Sequence, residues 1–173
     1  MHYIHRPCEL EMDHSAYMKF LLSNYDQLRS PYSFPMTLSF IASPLILGQA
    51  WLIFSEEEYE CVGAFSVVFG TGERNYEDRE ICQLSVAYLQ PEVRRTPLFA
   101  RTMHLLLQRL EHLNPEIKEL HVWTARNSDE QRLLTKLSRL DGATRRATDG
   151  DLELYALPFH SLKMYSQSLN PDR

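Results

Sequence analysis

The fold is decided by residues 81–113, which read ICQLSVAYLQPEVRRTPLFARTMHLLLQRLEHL. Arg79 to Leu89 is predicted to form a strand, and Pro91 ends it. From Phe99 to Leu113, apolar residues recur at steps of three and four, which predicts an amphipathic helix. A short polar loop with two adjacent arginines separates these two elements. The stretch therefore predicts a strand, a basic loop and a helix.

The helix has a sharp start signal in Thr96-Pro97. Threonine is favoured at the N-cap and proline at the first helical position, so we expect the helix to begin at Pro97. A helix start exposes unpaired amides and the positive end of the helix dipole. With Arg94 and Arg95 beside it, the start is a candidate phosphate site. A capped helix with two solvated arginines fits the same residues, and both interpretations stay open at this point.

Outward from this stretch, the predicted order is β-α-loop-β-β-β-α-β-α-β. Asp13 is predicted to cap the first helix, and Ser30 to Phe40 is predicted to form a long connection with room for a short helix. Asn127, with Glu130 at the reciprocal capping position, is predicted to cap the last helix. The predicted strands are Tyr3 to Arg6, Ala50 to Phe54, Tyr59 to Phe69, Arg79 to Leu89, Glu119 to Thr124 and Leu152 to Leu157.

This order predicts an α/β chain (an α+β mixed sheet) whose central sheet is flanked by helices on both faces. The acidic run after Phe54 predicts an antiparallel hairpin with a four- or five-residue turn, and a helix that crosses between two strands implies a parallel pair. The length of 173 residues suits one domain over 1–173. Within it we expect an N-terminal helix and hairpin part at 1–78, a core at 79–165 and a loose tail at 166–173.

The composition is that of an ordinary globular protein, with 44% hydrophobic and 24% charged residues. A net charge of −5 argues against a nucleic-acid binder that relies on overall basicity. Three widely spaced cysteines without a C-x-x-C pair favour a reducing cytoplasm over a disulfide framework. The longest apolar stretch, Phe40 to Phe54, is too short and broken for a membrane span. The histidines lack zinc-binding spacings, and there is no Gly-x-Ser-x-Gly for a nucleophilic serine.

The order of elements, with Pro-Glu-x-Arg after one strand and Ala-Arg-Asn after the next, resembles the GNAT acyltransferase superfamily. The resemblance covers Arg79 to Leu157 best, and the N-terminal part fits in layout only. It implies acetyl-CoA as the cosubstrate, with its pyrophosphate on the loop between the fourth strand and its helix. It also implies transfer of the acyl group to an amine. The implied cofactor-binding residues are Leu89, Arg94, Arg95, Thr96, Leu98, Phe99, Ala100 and Asn127.

The loop departs from the superfamily pattern, which is Arg/Gln-x-x-Gly-x-Gly/Ala. Arg94 keeps the arginine, but the two glycine positions are Pro97 and Phe99. Proline has no N–H, so one possible phosphate donor is lost. Phe99 places a bulky side chain where glycine lets a pyrophosphate approach the backbone, although the helix periodicity puts that side chain on the buried face. Asn127 matches the pattern and equally suits a helix cap.

The catalytic positions of the resembled family are also altered. Many members have a glutamate as general base eleven residues before the loop arginine, and the matching position here is Gln83. Glu80 lies nearby, so Glu80 and Gln83 are the candidate catalytic residues. Many members have a tyrosine that protonates the leaving thiolate, and its position is occupied by Leu134. We expect Trp123 to pack in the core and His121 to be a core or rim residue.

Two functions follow from these residues. The first is an acyl-CoA-dependent N-acyltransferase acting on a primary amine of a small molecule or protein, which the retained Pro91 and Arg94 favour. The second is a non-catalytic GNAT-like domain that binds a ligand or a partner protein, which the changes at Pro97, Phe99 and Gln83 favour. We expect no nucleic-acid or membrane partner, and the resemblance allows a homodimer.

Overall fold

A computed structural model describes residues 2–94, 96–126, 130–148 and 150–169. Within these residues lies one seven-stranded mixed sheet with the order β1-β2-β3-β4-β5-β7-β6, which confirms the predicted mixed sheet flanked by helices. The strands are β1 Tyr3–Pro7, β2 Gly48–Ser55, β3 Cys61–Phe69, β4 Ile81–Leu89, β5 Glu119–Ala125, β6 Thr144–Ala147 and β7 Leu152–Pro158. The helices are α1 Glu11–Ser23, α2 Tyr25–Leu28, α3 Phe34–Ala42, α4 Pro44–Leu47, α5 Leu98–Leu113, α6 Gln131–Leu137 and α7 Phe159–Ser168.

The chain divides into two compact units, of which unit 1 is Met1–Val68 with Ser85–Phe99. Here β1 pairs antiparallel with β2, and β2 pairs antiparallel with β3, which confirms the predicted hairpin. Gly48 begins β2 where the two strands approach closely. A Cβ atom at Gly48 would lie 1.8 Å from the carbonyl oxygen of Val67, so only glycine fits.

The core of unit 1 lies where α1 and α3 cover β2, β3 and the end of β4. Tyr17 and Leu21, four residues apart on α1, are fully buried there because that spacing places them on one helix face. The Tyr17 hydroxyl donates a hydrogen bond of 2.8 Å to Oγ of Ser66, which is also buried. Burial raises the pKa of Tyr17. The core residues are Cys8, Tyr17, Leu21, Ile41, Ala50, Leu52, Ala64, Val86 and Tyr88.

The prediction that Asp13 is the N-cap of α1 is wrong, because Asp13 is the third residue of the helix and lies inside its first turn. Its carboxylate accepts a hydrogen bond from the Leu10 amide at 3.1 Å and forms an ion pair with Arg6 at 2.6 Å. The side chain therefore reaches back to the start of the helix from within it. The Leu10 amide is the main reason that the pKa of Asp13 is lowered.

Unit 2 comprises Phe69–Leu84 and Ala100–Arg173. Its central feature is the parallel pairing of β4 with β5, which runs from Ile81 opposite Glu119 to Leu84 opposite Val122 and confirms the predicted parallel pair. On the far side of β5, β7 pairs antiparallel with it, and β6 pairs antiparallel with β7.

Two expectations for the C-terminal region are wrong. Residues 144–147 were not among the predicted strands, but they form β6, and Arg145 within it donates hydrogen bonds of 2.7 and 2.9 Å to the buried carboxylate of Glu153. Ser166 to Ser168 were expected in the loose tail, but they end α7, and Ser166 is buried. Both elements are short and depend on long-range partners that a local pattern does not reveal.

The buried hydroxyl pair of unit 1 gives a stability test. Tyr17→Phe removes the donor and leaves the Ser66 hydroxyl buried without that bond, so we expect a loss of about 1–3 kcal/mol in the free energy of unfolding. Urea denaturation measures it. Tyr59→Phe is the matched control because the Tyr59 side chain is 81% exposed. Equal stabilities for the two variants would show that the pair contributes nothing.

Candidate functional site

The loop between β4 and α5 is a series of hydrogen-bonded turns. The Gln90 amide donates to the Val62 carbonyl at 2.8 Å. This bond joins the first residue of the loop to the start of β3. The Val93 amide donates to Gln90, and the Thr96 amide donates to Val93. The Val93 side chain is buried, so apolar packing also holds the loop in place. These contacts fix where the exposed groups of the loop lie.

Arg94 is held against the end of β4. Its Nε donates a hydrogen bond of 2.6 Å to the carbonyl oxygen of Leu89. Its guanidinium carbon lies 5.3 Å from the centre of the Tyr88 ring, a cation–π distance. The bond to Leu89 uses only one of the five N–H donors of the guanidinium. The residue is exposed overall, so it presents a positioned cation to solvent.

The Thr96 hydroxyl makes the capping hydrogen bond predicted for it at the start of α5. Helix α5 begins at Leu98, one residue later than the expected Pro97. The Thr96 hydroxyl donates to the Val93 carbonyl at 2.7 Å and accepts from the Leu98 amide at 3.3 Å. The Leu98 amide is therefore directed at an oxygen of the protein.

Phe99 and Ala100 are in the first turn of α5, where helix amides have no partner inside the helix. The Phe99 ring packs against Phe65 with the ring centres 6.1 Å apart. The Phe99 side chain therefore packs inside unit 1, as the helix periodicity predicted. Arg95 and Asn127, both predicted to contact the cofactor, lie outside the described residues.

The two candidate catalytic residues occupy structural positions. Glu80 lies in the turn before β4 and not on the strand as expected, because the Ile81 amide donates back to the Asp78 carbonyl at 3.0 Å, and the Glu80 carbonyl accepts the Lys118 amide at 2.8 Å. Gln83 lies on β4, and its Nε2 donates to the Gly70 carbonyl at 2.7 Å. Its Oε1 accepts from the indole nitrogen of Trp123 at 3.3 Å. Both ends of the Gln83 amide are thus engaged in holding the β3–β4 loop and β5.

Trp123 is 37% exposed, so the expectation that it packs in the core is wrong. The alternation of β5 explains this, because Leu120 and Thr124 point to the buried side of the strand and Trp123 points to the other. Leu134 is buried on α6, so the position of the resembled family's tyrosine is part of the apolar core.

The three cysteines do not provide a nucleophile. Burial raises the pKa of Cys8 to about 12, that of Cys82 to about 12 and that of Cys61 to about 11. Their thiols therefore stay protonated at neutral pH, and the thiolate is the reactive form. Among the described residues, no group of three or more His, Cys, Asp or Glu side chains is placed to hold a metal ion. No described helix has the length and apolar character needed to cross a membrane.

Comparison with known proteins links the chain to one fold. No protein-family sequence model matches it, and no functionally characterised protein matches it by sequence. Similar solved structures include an acetyltransferase from Streptococcus agalactiae, with a TM-score of 0.62 and 11% identity over 90% of this chain and 98% of the other. A GNAT-family acetyltransferase from Staphylococcus aureus has a TM-score of 0.61 and 12% identity, over 91% and 99% of the two chains.

A third solved structure is RimL, a ribosomal L7/L12 α-N-protein acetyltransferase in complex with coenzyme A. It has a TM-score of 0.59 and 14% identity, over 90% of this chain and 93% of the other. At these identities the likeness establishes the fold, and the fold is that of the GNAT acetyltransferases.

The contacts of Gln83 give a test of its structural role. Gln83→Glu places an ionised carboxylate against the Gly70 carbonyl, so at neutral pH we expect a loss of about 1–3 kcal/mol in the free energy of unfolding. The folded state should raise the pKa of the introduced carboxyl, since only its protonated form can donate to Gly70. Stability is then retained at acid pH and lost as the pH rises through that raised pKa.

Urea denaturation of the Gln83→Glu variant at pH 4 and pH 7 measures this difference. Gln108→Glu is the control because Gln108 is exposed on α5 and its amide pairs with the ring of His104, beside which a carboxylate is tolerated. A Gln83→Glu variant as stable at pH 7 as the control would contradict the structural role.

Proposed function

We propose that this protein is an acyl-CoA-dependent N-acyltransferase of the GNAT type, which transfers an acetyl group from acetyl-CoA to a primary amine of a small molecule or protein. The observation that carries the proposal is the turn from β4 into α5, on a chain with the GNAT fold. That turn combines a positioned cation, Arg94, with the start of a sixteen-residue helix. In RimL, which shares the fold, coenzyme A is bound.

In the proposal, the start of α5 binds the pyrophosphate of the cosubstrate. The amides of Phe99 and Ala100 are donors of the first helical turn, and the helix dipole adds positive potential there. Packing of the Phe99 ring on Phe65 supports this role, because the side chain lies away from the amide that a phosphate would approach. Pro97 lacks an N–H, so the amides that follow it bind the anion.

In the same proposal, the guanidinium of Arg94 supplies the positive charge that attracts the pyrophosphate. Its bond to Leu89 and its stacking on Tyr88 order the side chain before any ligand arrives, which lowers the entropic cost of binding. The remaining guanidinium donors suit phosphate oxygens, which arginine recognises in pairs. Arg95 and Asn127 are proposed to assist from positions outside the described residues.

The chemistry requires a free amine. A primary amine is largely protonated at neutral pH, and its nitrogen must lose a proton before it attacks the thioester carbonyl. The carbon–sulfur bond then breaks, and coenzyme A leaves as the thiol while the amide forms. Gln83 cannot accept that proton, and Leu134 cannot donate one to the thiolate. Another group or solvent must therefore accept the amine proton and protonate the thiolate.

The second candidate is a non-catalytic GNAT-like domain that binds a ligand or a partner. It is favoured by the two hydrogen bonds that fix Gln83 and by the burial of Leu134, which both suit a structural role. This candidate predicts binding without chemistry. Release of the coenzyme A thiol therefore distinguishes the acyltransferase from the non-catalytic domain.

Ligand binding tests the proposal through thermal stability. Acetyl-CoA at millimolar concentration should raise the melting temperature, because a ligand bound only to the folded state at a hundred times its Kd stabilises it by about 2.7 kcal/mol. Arg94→Ala should weaken binding by about 10- to 150-fold, since a charge-assisted contact is worth about 1.5–3 kcal/mol. Calorimetry gives the Kd, and Arg139→Ala, an exposed arginine after α6, is the control.

The outcomes separate the candidates. No shift with acetyl-, propionyl- or longer acyl-CoA would contradict acyltransfer. Binding that survives Arg94→Ala undiminished would move the anion site away from this loop. Binding without thiol release in the presence of primary amines would favour the non-catalytic domain.

A further inference from the structure

One face of β5 carries a polar and aromatic row that the proposed function leaves unused. Glu119, His121 and Trp123 alternate along the strand and therefore point to the same side of the sheet. The Glu119 and His121 side chains are 46% and 12% exposed, and Trp123 is 37% exposed. On the neighbouring strand β4, Gln83 is the register partner of His121, so its side chain shares this face. All four residues belong to unit 2.

His121 and Glu119 form a hydrogen-bonded pair, with His121 Nε2 2.7 Å from Glu119 Oε2. A carboxylate can only accept, so the proton of this bond is on Nε2. Its partner thus assigns the tautomer of His121 and leaves the lone pair on Nδ1. A carboxylate that orients an imidazole in this way fixes the direction in which Nδ1 points.

Trp123 and Gln83 make the same face suited to a cation. The hydrogen bond from the indole to Gln83, and the bond from Gln83 to Gly70, hold the ring at a fixed place beside His121. The face of an indole attracts ammonium groups, with tryptophan the strongest of the aromatic side chains. The half-exposed Glu119 carboxylate adds a negative charge to the row. An ammonium group is therefore drawn to the side chain that can deprotonate it.

We propose that His121, oriented by Glu119, is the general base that deprotonates the acceptor amine, with Trp123 binding its ammonium group. This inference rests on the proposed acyltransfer. The ammonium gives one proton to Nδ1 of His121, and the freed lone pair attacks the thioester carbonyl. The carbon–sulfur bond breaks, the electron pair leaves with sulfur, and the second amine proton ends on the thiolate. The proton on His121 then passes to water, which restores the base.

The test compares two acceptors that differ in their need for a base. Benzylamine is an ammonium ion at neutral pH, whereas hydroxylamine is largely uncharged there and needs no deprotonation before attack. With saturating acetyl-CoA, His121→Ala should lower kcat/KM for benzylamine by roughly 10²–10⁴-fold. It should leave the rate with hydroxylamine within a few fold. The readout is release of the coenzyme A thiol above the rate without protein, because hydroxylamine also cleaves thioesters unaided.

Added imidazole supplies the second readout. It should restore part of the benzylamine rate to His121→Ala, because it replaces the missing base, and should have no effect on the unaltered protein. His160→Ala is the matched control, since His160 is exposed at the start of α7. Trp123→Phe should raise the KM for benzylamine more than it changes kcat.

The outcomes distinguish this inference from the function on which it rests. An unchanged benzylamine rate in His121→Ala would overturn the base assignment and leave acyltransfer intact. An equal loss with both amines and no rescue by imidazole would also overturn it, because that pattern indicates a structural role. Binding of acetyl-CoA without thiol release from either amine would overturn it too, while leaving cosubstrate binding in place. Absence of acetyl-CoA binding would overturn the proposed function itself.

Discussion

The parallel pairing of β4 with β5 is the constraint on which the site depends. Two parallel neighbours cannot be joined by a tight turn, so the chain must leave β4, cross over as α5 and return. Because of this crossover, the end of β4 leads through a short loop into the start of a helix. A helix start carries positive potential whatever its sequence, and Arg94, held to the Leu89 carbonyl, adds a full charge. The place where an anion would be bound thus follows from strand pairing.

The same pairing sets the chemistry of the β5 face. The register that places Gln83 opposite His121 also lets Gln83 reach Trp123 across the two strands. A shift of one residue would turn Glu119, His121 and Trp123 to the buried side, where a carboxylate is costly. Leu120 and Thr124 would then face solvent. The buried apolar side of β5 therefore fixes which residues remain accessible.

The sequence predicted the parts of the fold that depend on strong local periodicity. The long amphipathic α5, the hairpin of β2 and β3 and the parallel pair all follow from such patterns, and the structure confirms them. The edge strand β6 was missed because four exposed residues carry no alternation signal. It depends on Arg145 reaching the buried Glu153, a contact that only the folded chain creates. Trp123 was misplaced because its size suggested burial, whereas strand alternation turns it outward.

Site geometry was less predictable than the fold. The sequence pointed to the loop and to Arg94, but the contacts of Arg94 with Leu89 and Tyr88 arise only when the loop closes on β4. The pair of His121 and Glu119 carries a signal, since a histidine and a carboxylate two residues apart on a strand share a face. That signal is weak alone, because many strands carry such pairs on a solvated side.

The central claim is that the turn from β4 into α5 binds the pyrophosphate of a cosubstrate. The most direct measurement is a calorimetric comparison of coenzyme A with pantetheine, which has the same thiol arm but lacks the pyrophosphate and the adenosine 3′-phosphate beyond it, in the unaltered protein and in Arg94→Ala. The account predicts that coenzyme A binds at least about tenfold more tightly, a difference of about 1.4 kcal/mol. Equal affinities for the two compounds, or no binding of coenzyme A, would contradict it.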